Sequence, residues 1–129
     1  MLEAGIKGRK ELVVTNELTA KEYASGDALV YATPALIALA EGTALESVKP
    51  YLEDGRSTVG TNVNISHLAA TPVGMKVWCE SELTEVDRRR LVFRIDVYDE
   101  CGKVAEGTHE RFIIDSGKFQ AKAEAKLQR

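Results

Sequence analysis

The feature that most constrains the fold is an apolar segment, TPALIALAEGTALESV, at residues 33–48. Its alanines and leucines favour a helix. Thr33 suits the N-cap, Pro34 suits the first helical position, and Pro50 ends the pattern. Because apolar side chains occur nearly all round this helix, the segment predicts a helix that is buried rather than one that rests on a surface.

Strand-like segments lie on both sides of this helix. Residues 10–16 predict a short strand before it, and the runs at 57–69, 75–86, 91–99 and 104–114 predict four strands after it. The last three runs are separated only by the turn segments DRRR and ECGK, so they predict an antiparallel meander. The tail GKFQAKAEAKLQR predicts a short charged helix.

This order of elements predicts an α+β class of fold. One buried central helix with a long antiparallel sheet wrapped around it is the hot-dog fold. A length of 129 residues is typical of one domain, so we expect residues 1–129 to form a single domain.

Composition excludes several classes of function. The net charge of −3 does not favour nucleic acid as a partner. No run approaches the roughly 20 apolar residues that span a bilayer, and no signal peptide is visible. The two cysteines, Cys79 and Cys101, lack the spacing of a metal site and are expected to stay reduced. We therefore expect a cytoplasmic protein with no metal, no cofactor and no membrane contact.

Glu41 is the most informative single residue, because it interrupts the apolar run between Ala40 and Gly42. A buried carboxylate is costly unless it is paired or hydrogen-bonded. Glu41 is therefore either a general base in an enclosed site or a residue on a narrow solvent-facing stripe of the helix.

The two histidines and Thr33 are the other candidates. His67 lies where a strand runs out toward the turn AATPVG, and an imidazole there can exchange protons near neutral pH, or it can be structural. His109 alternates with Arg111, and a solvent-facing pair is the simplest interpretation of these two. Thr33 is most simply a helix cap, although a helix N-terminus also suits an anion or a carbonyl oxygen.

Three segments resemble a known family. ATPALIALAE, VGTNVNISHLAATPVGM and GTHERFIIDSGKFQAK are similar to the fluoroacetyl-CoA thioesterase family, a branch of the hot-dog thioesterases. The resemblance extends from about Val30 to Lys122. The catalytic threonine, glutamate and histidine of that family match Thr33, Glu41 and His67.

The resemblance implies that the chain hydrolyses a short- or medium-chain acyl-CoA thioester to free acid and CoA. Glu41 would act as the base for water or as a nucleophile, and His67 would assist proton transfer. Thr33 would position Glu41, substrate or water. The substrate-binding residues implied are Gly60, Pro34, Tyr31 and Arg111, and Arg111 is also one of several basic residues available for the CoA phosphates.

Helix geometry adds a constraint on this set of residues. Eight residues of regular helix rise about 12 Å, so Thr33 and Glu41 of one chain are not expected to touch. Either Thr33 lies on an irregular segment, or the site combines groups from two subunits. Since hot-dog proteins usually join their sheets, we expect a homodimer, or a higher assembly built from it.

One segment departs from the family pattern. The fluoroacetyl-specific enzyme has a longer, Phe- and Pro-rich lid before the helix, where this chain has LTAKEYASGDALVYAT. A general acyl-CoA thioesterase is therefore expected rather than a fluoroacetyl-specific one. The alternatives are a non-catalytic acyl-CoA-binding module and a hot-dog dehydratase or hydratase.

Overall fold

The computed structural model describes residues 1–128, and Arg129, the last residue of the predicted domain and tail helix, lies outside them. Five strands form one antiparallel sheet. No helix within residues 1–128 is long and apolar enough to cross a bilayer. The strands are β1 (Lys7–Val13), β2 (Arg56–His67), β3 (Lys76–Asp87), β4 (Arg90–Asp99) and β5 (Gly102–Asp115); the helices are α1 (Thr33–Val48) and α2 (Ser116–Glu124), with 3-10 turns at Asn16–Leu18, Lys49–Tyr51 and Ala125–Gln128.

The strands lie in the sheet in the order β1-β3-β4-β5-β2. The predicted meander is confirmed, because β3, β4 and β5 are consecutive neighbours. Asp87 pairs with Arg90 across a two-residue turn, in which Arg88 has a φ of 59°. The first strand lies at Lys7–Val13 rather than at residues 10–16. The position of this strand is set by its pairing with β3, where Lys7 lies opposite Glu82. The local sequence does not show which residues form that pairing.

Helix α1 occupies exactly the predicted span, and its sheet-facing side forms the core. Leu36, Leu39, Ala40, Ala44 and Val48 are buried on this side of the helix. Their counterparts on the sheet are the buried residues Val77, Leu83, Leu91, Phe93, Ile95 and Val97. This is the predicted α+β arrangement.

The opposite side of α1 is not covered by its own chain. Pro34 and Ala38 are exposed, and Ile37 and Glu41 are partly exposed. A single chain therefore buries the helix on one side only, although the sequence is apolar nearly all round.

Backbone hydrogen bonds tie the end of β2 to the start of α1. Beyond β2, the N–H of Leu68 donates to the carbonyl of Val104, 2.7 Å away. The N–H of Tyr31, just before α1, donates to the carbonyl of Thr71 at 2.8 Å, and the Thr71 hydroxyl donates to Asp99 at 2.8 Å. These bonds bring the HLAATP segment against the first turn of the helix.

Candidate active site

Thr33 and His67 meet where α1 begins and β2 ends. Thr33 Oγ1 lies 2.7 Å from Nδ1 of His67. The prediction that Thr33 is the N-cap is wrong: Ala32 holds the N-cap position with extended backbone, and Thr33 is already helical. Its hydroxyl is directed instead to the imidazole, because the HLAATP segment is bonded back onto the residues before the helix.

The His67 ring is suited to accept a proton. Burial lowers the pKa of His67, an effect partly offset by the nearby backbone of Ala69. The ring is therefore neutral near pH 7, and Nδ1 can take a hydroxyl proton from Thr33. Its Nε2 is buried and has no hydrogen-bond partner within residues 1–128. A buried imidazole nitrogen of this kind is available to a bound molecule or a water.

A cleft of about 300 Å³ opens beside this pair. Small side chains form much of its wall and no lining side chain within residues 1–128 is an acid, a lysine or an arginine, so it suits a small uncharged group. Tyr31 forms part of the wall, and its buried hydroxyl donates to the carbonyl of Ala35 at 3.3 Å. Burial raises the pKa of Tyr31, which therefore remains a neutral donor. The lining residues are Ala20, Ser25, Val30, Tyr31, Thr33, His67, Leu68, Ala69 and Ala70.

Glu41 belongs to a second cluster, with Gly60 and Arg111. Glu41 Oε2 lies 3.8 Å from Nη1 of Arg111. A β-carbon added to Gly60 would stand 2.5 Å from the same carboxylate oxygen, so β2 approaches Glu41 closely only because residue 60 is glycine. The Glu41 side chain is 41% exposed, whereas that of Arg111 is 6% exposed. The buried charge of this cluster is thus the arginine, and Glu41 is partly exposed, as the solvent-facing alternative from the sequence would have it.

The interpretation of His109 and Arg111 as a solvent-facing pair is wrong. Alternation puts both on one face of β5, but that face is the buried one, and His109 is fully buried. Arg111 is compensated there by hydrogen bonds from Nε to the Thr58 hydroxyl and from Nη2 to the Thr58 carbonyl, both 2.8 Å. Desolvation lowers the pKa of Arg111, and the nearby Glu41 opposes that effect. This burial removes Arg111 from the surface charges that could meet the CoA phosphates.

The structure thus brings together two of the three predicted catalytic residues. Thr33 and His67 are hydrogen-bonded, whereas no hydrogen bond or ion pair within residues 1–128 joins Glu41 to either of them. Pro34 lies next to Thr33 on α1 but is exposed and does not line the cleft. No cluster of His, Cys, Asp or Glu suited to a metal ion occurs among residues 1–128.

Comparison with known proteins gives consistent matches. The family model for the fluoroacetyl-CoA-specific thioesterase matches residues 14–117. The fluoroacetyl-CoA thioesterase of Streptantibioticus cattleyicolor is 39% identical over 97 residues, which are 75% of this chain and 70% of that protein.

Solved structures extend the match to nearly the whole chain. A mutant of a fluoroacetyl-CoA thioesterase in complex with acetyl-CoA has a TM-score of 0.92 at 32% identity, covering 97% of this chain and 98% of that one. A thioesterase superfamily member from Thermus thermophilus has a TM-score of 0.92 at 27% identity, covering 100% of this chain and 96% of that one. These likenesses confirm the predicted hot-dog fold.

Proposed function

The chain belongs to the fluoroacetyl-CoA-specific thioesterase family and is a thioester hydrolase, and on this premise we propose that it hydrolyses short- or medium-chain acyl-CoA to free acid and CoA. The observation that carries the proposal is the 2.7 Å contact between Thr33 Oγ1 and His67 Nδ1 at the edge of the cleft. A hydroxyl bonded to a neutral imidazole is the minimal arrangement for activating an oxygen nucleophile.

The proposed chemistry starts with transfer of a proton to His67. The proton comes from the Thr33 hydroxyl or from a water that this hydroxyl holds. The activated oxygen attacks the thioester carbonyl carbon, a C–O bond forms, and the C–S bond then breaks. CoA leaves as a thiol after His67 returns the proton to sulfur. If Thr33 is the nucleophile, a water molecule hydrolyses its acyl ester in a second, similar step.

The first turn of α1 supports stabilisation of the developing oxyanion. Leu36 is the first residue of this turn whose N–H bonds within the helix, to the carbonyl of Ala32. Earlier amides at a helix N-terminus lack intrahelical partners and carry partial positive charge. An oxyanion formed next to Thr33 would lie near these groups. Gly60 remains a second proposed backbone contact, and Pro34, which has no N–H, would contribute only its ring.

We propose that the active form is a homodimer joined through β2. This strand is at the edge of the sheet, and its residues 57–66, STVGTNVNIS, contain no charge. Residues 60–64 are exposed on both faces. Edge strands are normally protected by charge, proline or a covering element. An uncharged edge of this length favours pairing with a second copy.

Antiparallel pairing of two β2 strands would also complete the site. The end of one strand, with His67, would then lie near the first half of the other, which carries Gly60. The Thr33–His67 pair of one subunit would face the cluster of Glu41, Gly60 and Arg111 of its partner. This arrangement would resolve the separation of Thr33 and Glu41 along α1, with Glu41 acting on water or substrate from the opposite side.

The substrate range and location follow from the same features. The small side chains that line the cleft come from the segment before α1 and from the HLAATP segment after β2, and they support a short or medium acyl chain. Acyl-CoA is the proposed substrate, and Tyr31 is a proposed wall of the acyl site. Both cysteines are free thiols, which supports the proposed cytoplasmic location.

The experiment is the release of CoA thiol from a panel running from acetyl-CoA to long-chain acyl-CoA. We expect turnover of short and medium chains by the wild type and strong losses in Glu41→Ala and His67→Ala, with both variants folded. Binding of acyl-CoA without turnover in the wild type would contradict the proposal and would identify a non-catalytic acyl-CoA-binding module.

A further inference from the structure

His109 is a fully buried titratable group that the proposed chemistry does not use. Both of its ring nitrogens have partners. Nδ1 lies 2.8 Å from the carbonyl oxygen of Asn62, at the irregularity in the pairing of β2 with β5 between Gly60 and Asn62. Nε2 lies 3.2 Å from Nη1 of Arg111. The ring therefore connects the backbone of the edge strand to the buried guanidinium.

These partners fix the protonation state of the ring. A guanidinium can only donate, so Nε2 accepts from Arg111, and a carbonyl can only accept, so Nδ1 carries the proton and donates to Asn62. The imidazole is neutral in this arrangement. Burial lowers the pKa of His109, the hydrogen bond with Asn62 opposes that effect, and the charge of Arg111 adds to it, so the net lowering agrees with a neutral ring.

The same Arg111 nitrogen is close to Glu41 without being hydrogen-bonded to it. Nη1 lies 3.8 Å from Glu41 Oε2, beyond hydrogen-bond distance but close enough for electrostatic attraction. Arginine and carboxylate otherwise tend to close into short, often bidentate contacts. The guanidinium is instead hydrogen-bonded to His109 and Thr58.

The three side chains converge on one point, Gly60. A β-carbon at residue 60 would lie 2.5 Å from Glu41 Oε2, 3.2 Å from His109 Cε1 and 3.4 Å from Arg111 Nη1. The three groups therefore lie around the same point on β2.

We propose that His109 is a positioning residue that holds Arg111 near Glu41 but out of hydrogen-bond contact with it. The Glu41 carboxylate then gains from the positive charge while its oxygens remain free for substrate or water. This inference rests on the proposed function in one respect: Glu41 must belong to the reactive site.

The test compares two substitutions at residue 109. His109→Phe keeps a flat ring but removes both hydrogen bonds, so Arg111 is free to close onto Glu41. His109→Gln keeps one donor and one acceptor that can reach Asn62 and Arg111. We expect kcat to fall about a hundredfold in the Phe variant, the scale expected for a misplaced reacting group. We expect KM to change less than about threefold and the Gln variant to recover most of kcat.

A matched control separates positioning from loss of packing. Phe93 contacts the His109 ring, with ring centroids 6.2 Å apart, and is buried in the core. Phe93→Leu disturbs the same packing but leaves the hydrogen bonds of His109 in place, so its kcat should remain near that of the wild type. If His109→Phe does not fold, His109→Asn replaces it, because the shorter amide cannot reach both partners.

A crystal structure of the Phe variant gives a readout independent of turnover. We expect Arg111 Nη1 and Glu41 Oε2 to approach to about 2.8 Å. An unchanged separation, or a Gln variant no more active than the Phe variant, would overturn the inference. If the wild type releases no CoA, the proposed function fails, and the distance in the Phe variant alone decides the role of His109.

Discussion

Thr33 Oγ1 and His67 Nδ1 lie 2.7 Å apart although 34 residues separate them in the sequence. One residue begins the central helix and the other ends the edge strand. The contact depends on the loop after β2, which accepts a hydrogen bond from Tyr31 through the Thr71 carbonyl. The fold therefore assembles a hydroxyl–imidazole pair from a helix and a strand that lie far apart in the sequence.

Replacing the Thr33 hydroxyl should separate its chemical role from its structural one. Thr33→Val keeps the shape of the side chain. We expect kcat to fall about a hundredfold or more, since a positioned acid–base group contributes at least that factor to the rate. Thr33→Ser should keep most of the activity. Because Thr33 is exposed and is not the cap, the free energy of unfolding of both variants should differ from that of the wild type by less than about 0.5 kcal/mol. Steady-state CoA release and urea titration measure the two effects, and equal activity of the Val and Ser variants would count against a role for the hydroxyl.

The pH–rate profile should report the neutral state of His67. Burial lowers the pKa of His67 below its ordinary value of about 6.5, so the ring loses its proton as the pH rises through a value lower than this. We therefore expect kcat/KM to rise with pH, to be half-maximal below pH 6.5 and then to level off. Rates measured from pH 4.5 to 8 check this, and a half-maximal pH above 6.5 would contradict it.

Gly60→Ala should reduce activity without unfolding the protein. The added β-carbon would come within 2.5 Å of Glu41 Oε2, and the carboxylate is the mobile end of a partly exposed side chain. The carboxylate can move away, so we expect the fold to tolerate the change while kcat falls about tenfold or more, since small displacements of reacting groups are costly. Gly117→Ala, on α2, is the control, because its added β-carbon would stand 3.7 Å from Asp115 Oδ1, an ordinary van der Waals contact. Equal activity of the two variants would show that Glu41 does not need its present position.

A charge in the middle of β2 should break the proposed dimer. Val63 is 38% exposed at this edge of the sheet, and Val63→Lys introduces the type of residue that blocks strand pairing. We expect sedimentation to change from dimer to monomer and CoA release to be lost with it. Val13→Lys is the matched control at the opposite edge, on β1, where Val13 is 50% exposed. A Val63→Lys dimer with normal activity would rule out β2 as the interface.

Local patterns predicted those parts of the fold that depend on local physics. The bounds of α1 follow from its alanines and leucines and from the prolines at its two ends, and the meander follows from alternation and short turns. The observed strand β1 begins three residues before the predicted one, because its position depends on the long-range pairing of Lys7 with Glu82. The hydroxyl of Thr33, predicted to cap the helix, likewise bonds to a residue 34 positions away, which a local pattern cannot show.

Glu41, His67 and Thr33 are candidates from their positions in the sequence, and the family resemblance supplies the roles proposed for them. Alternation alone could not show which face of β5 is buried. His109 and Arg111 therefore looked like a surface pair, although Asn62 and Thr58 provide the hydrogen bonds that make their burial possible. The sequence shows only that a histidine and an arginine two residues apart in a strand lie on the same face, and therefore that His109 and Arg111 are neighbours.

The most direct test of the central claim is a double-mutant cycle on acyl-CoA hydrolysis. It compares kcat/KM for the wild type, Thr33→Val, His67→Asn and the double variant, all verified as folded. Residues that act as one unit give strongly non-additive losses, so we predict that the double variant is about as impaired as the worse single variant. Losses that multiply, or variants as active as the wild type, would contradict the claim that Thr33 and His67 act as a catalytic pair.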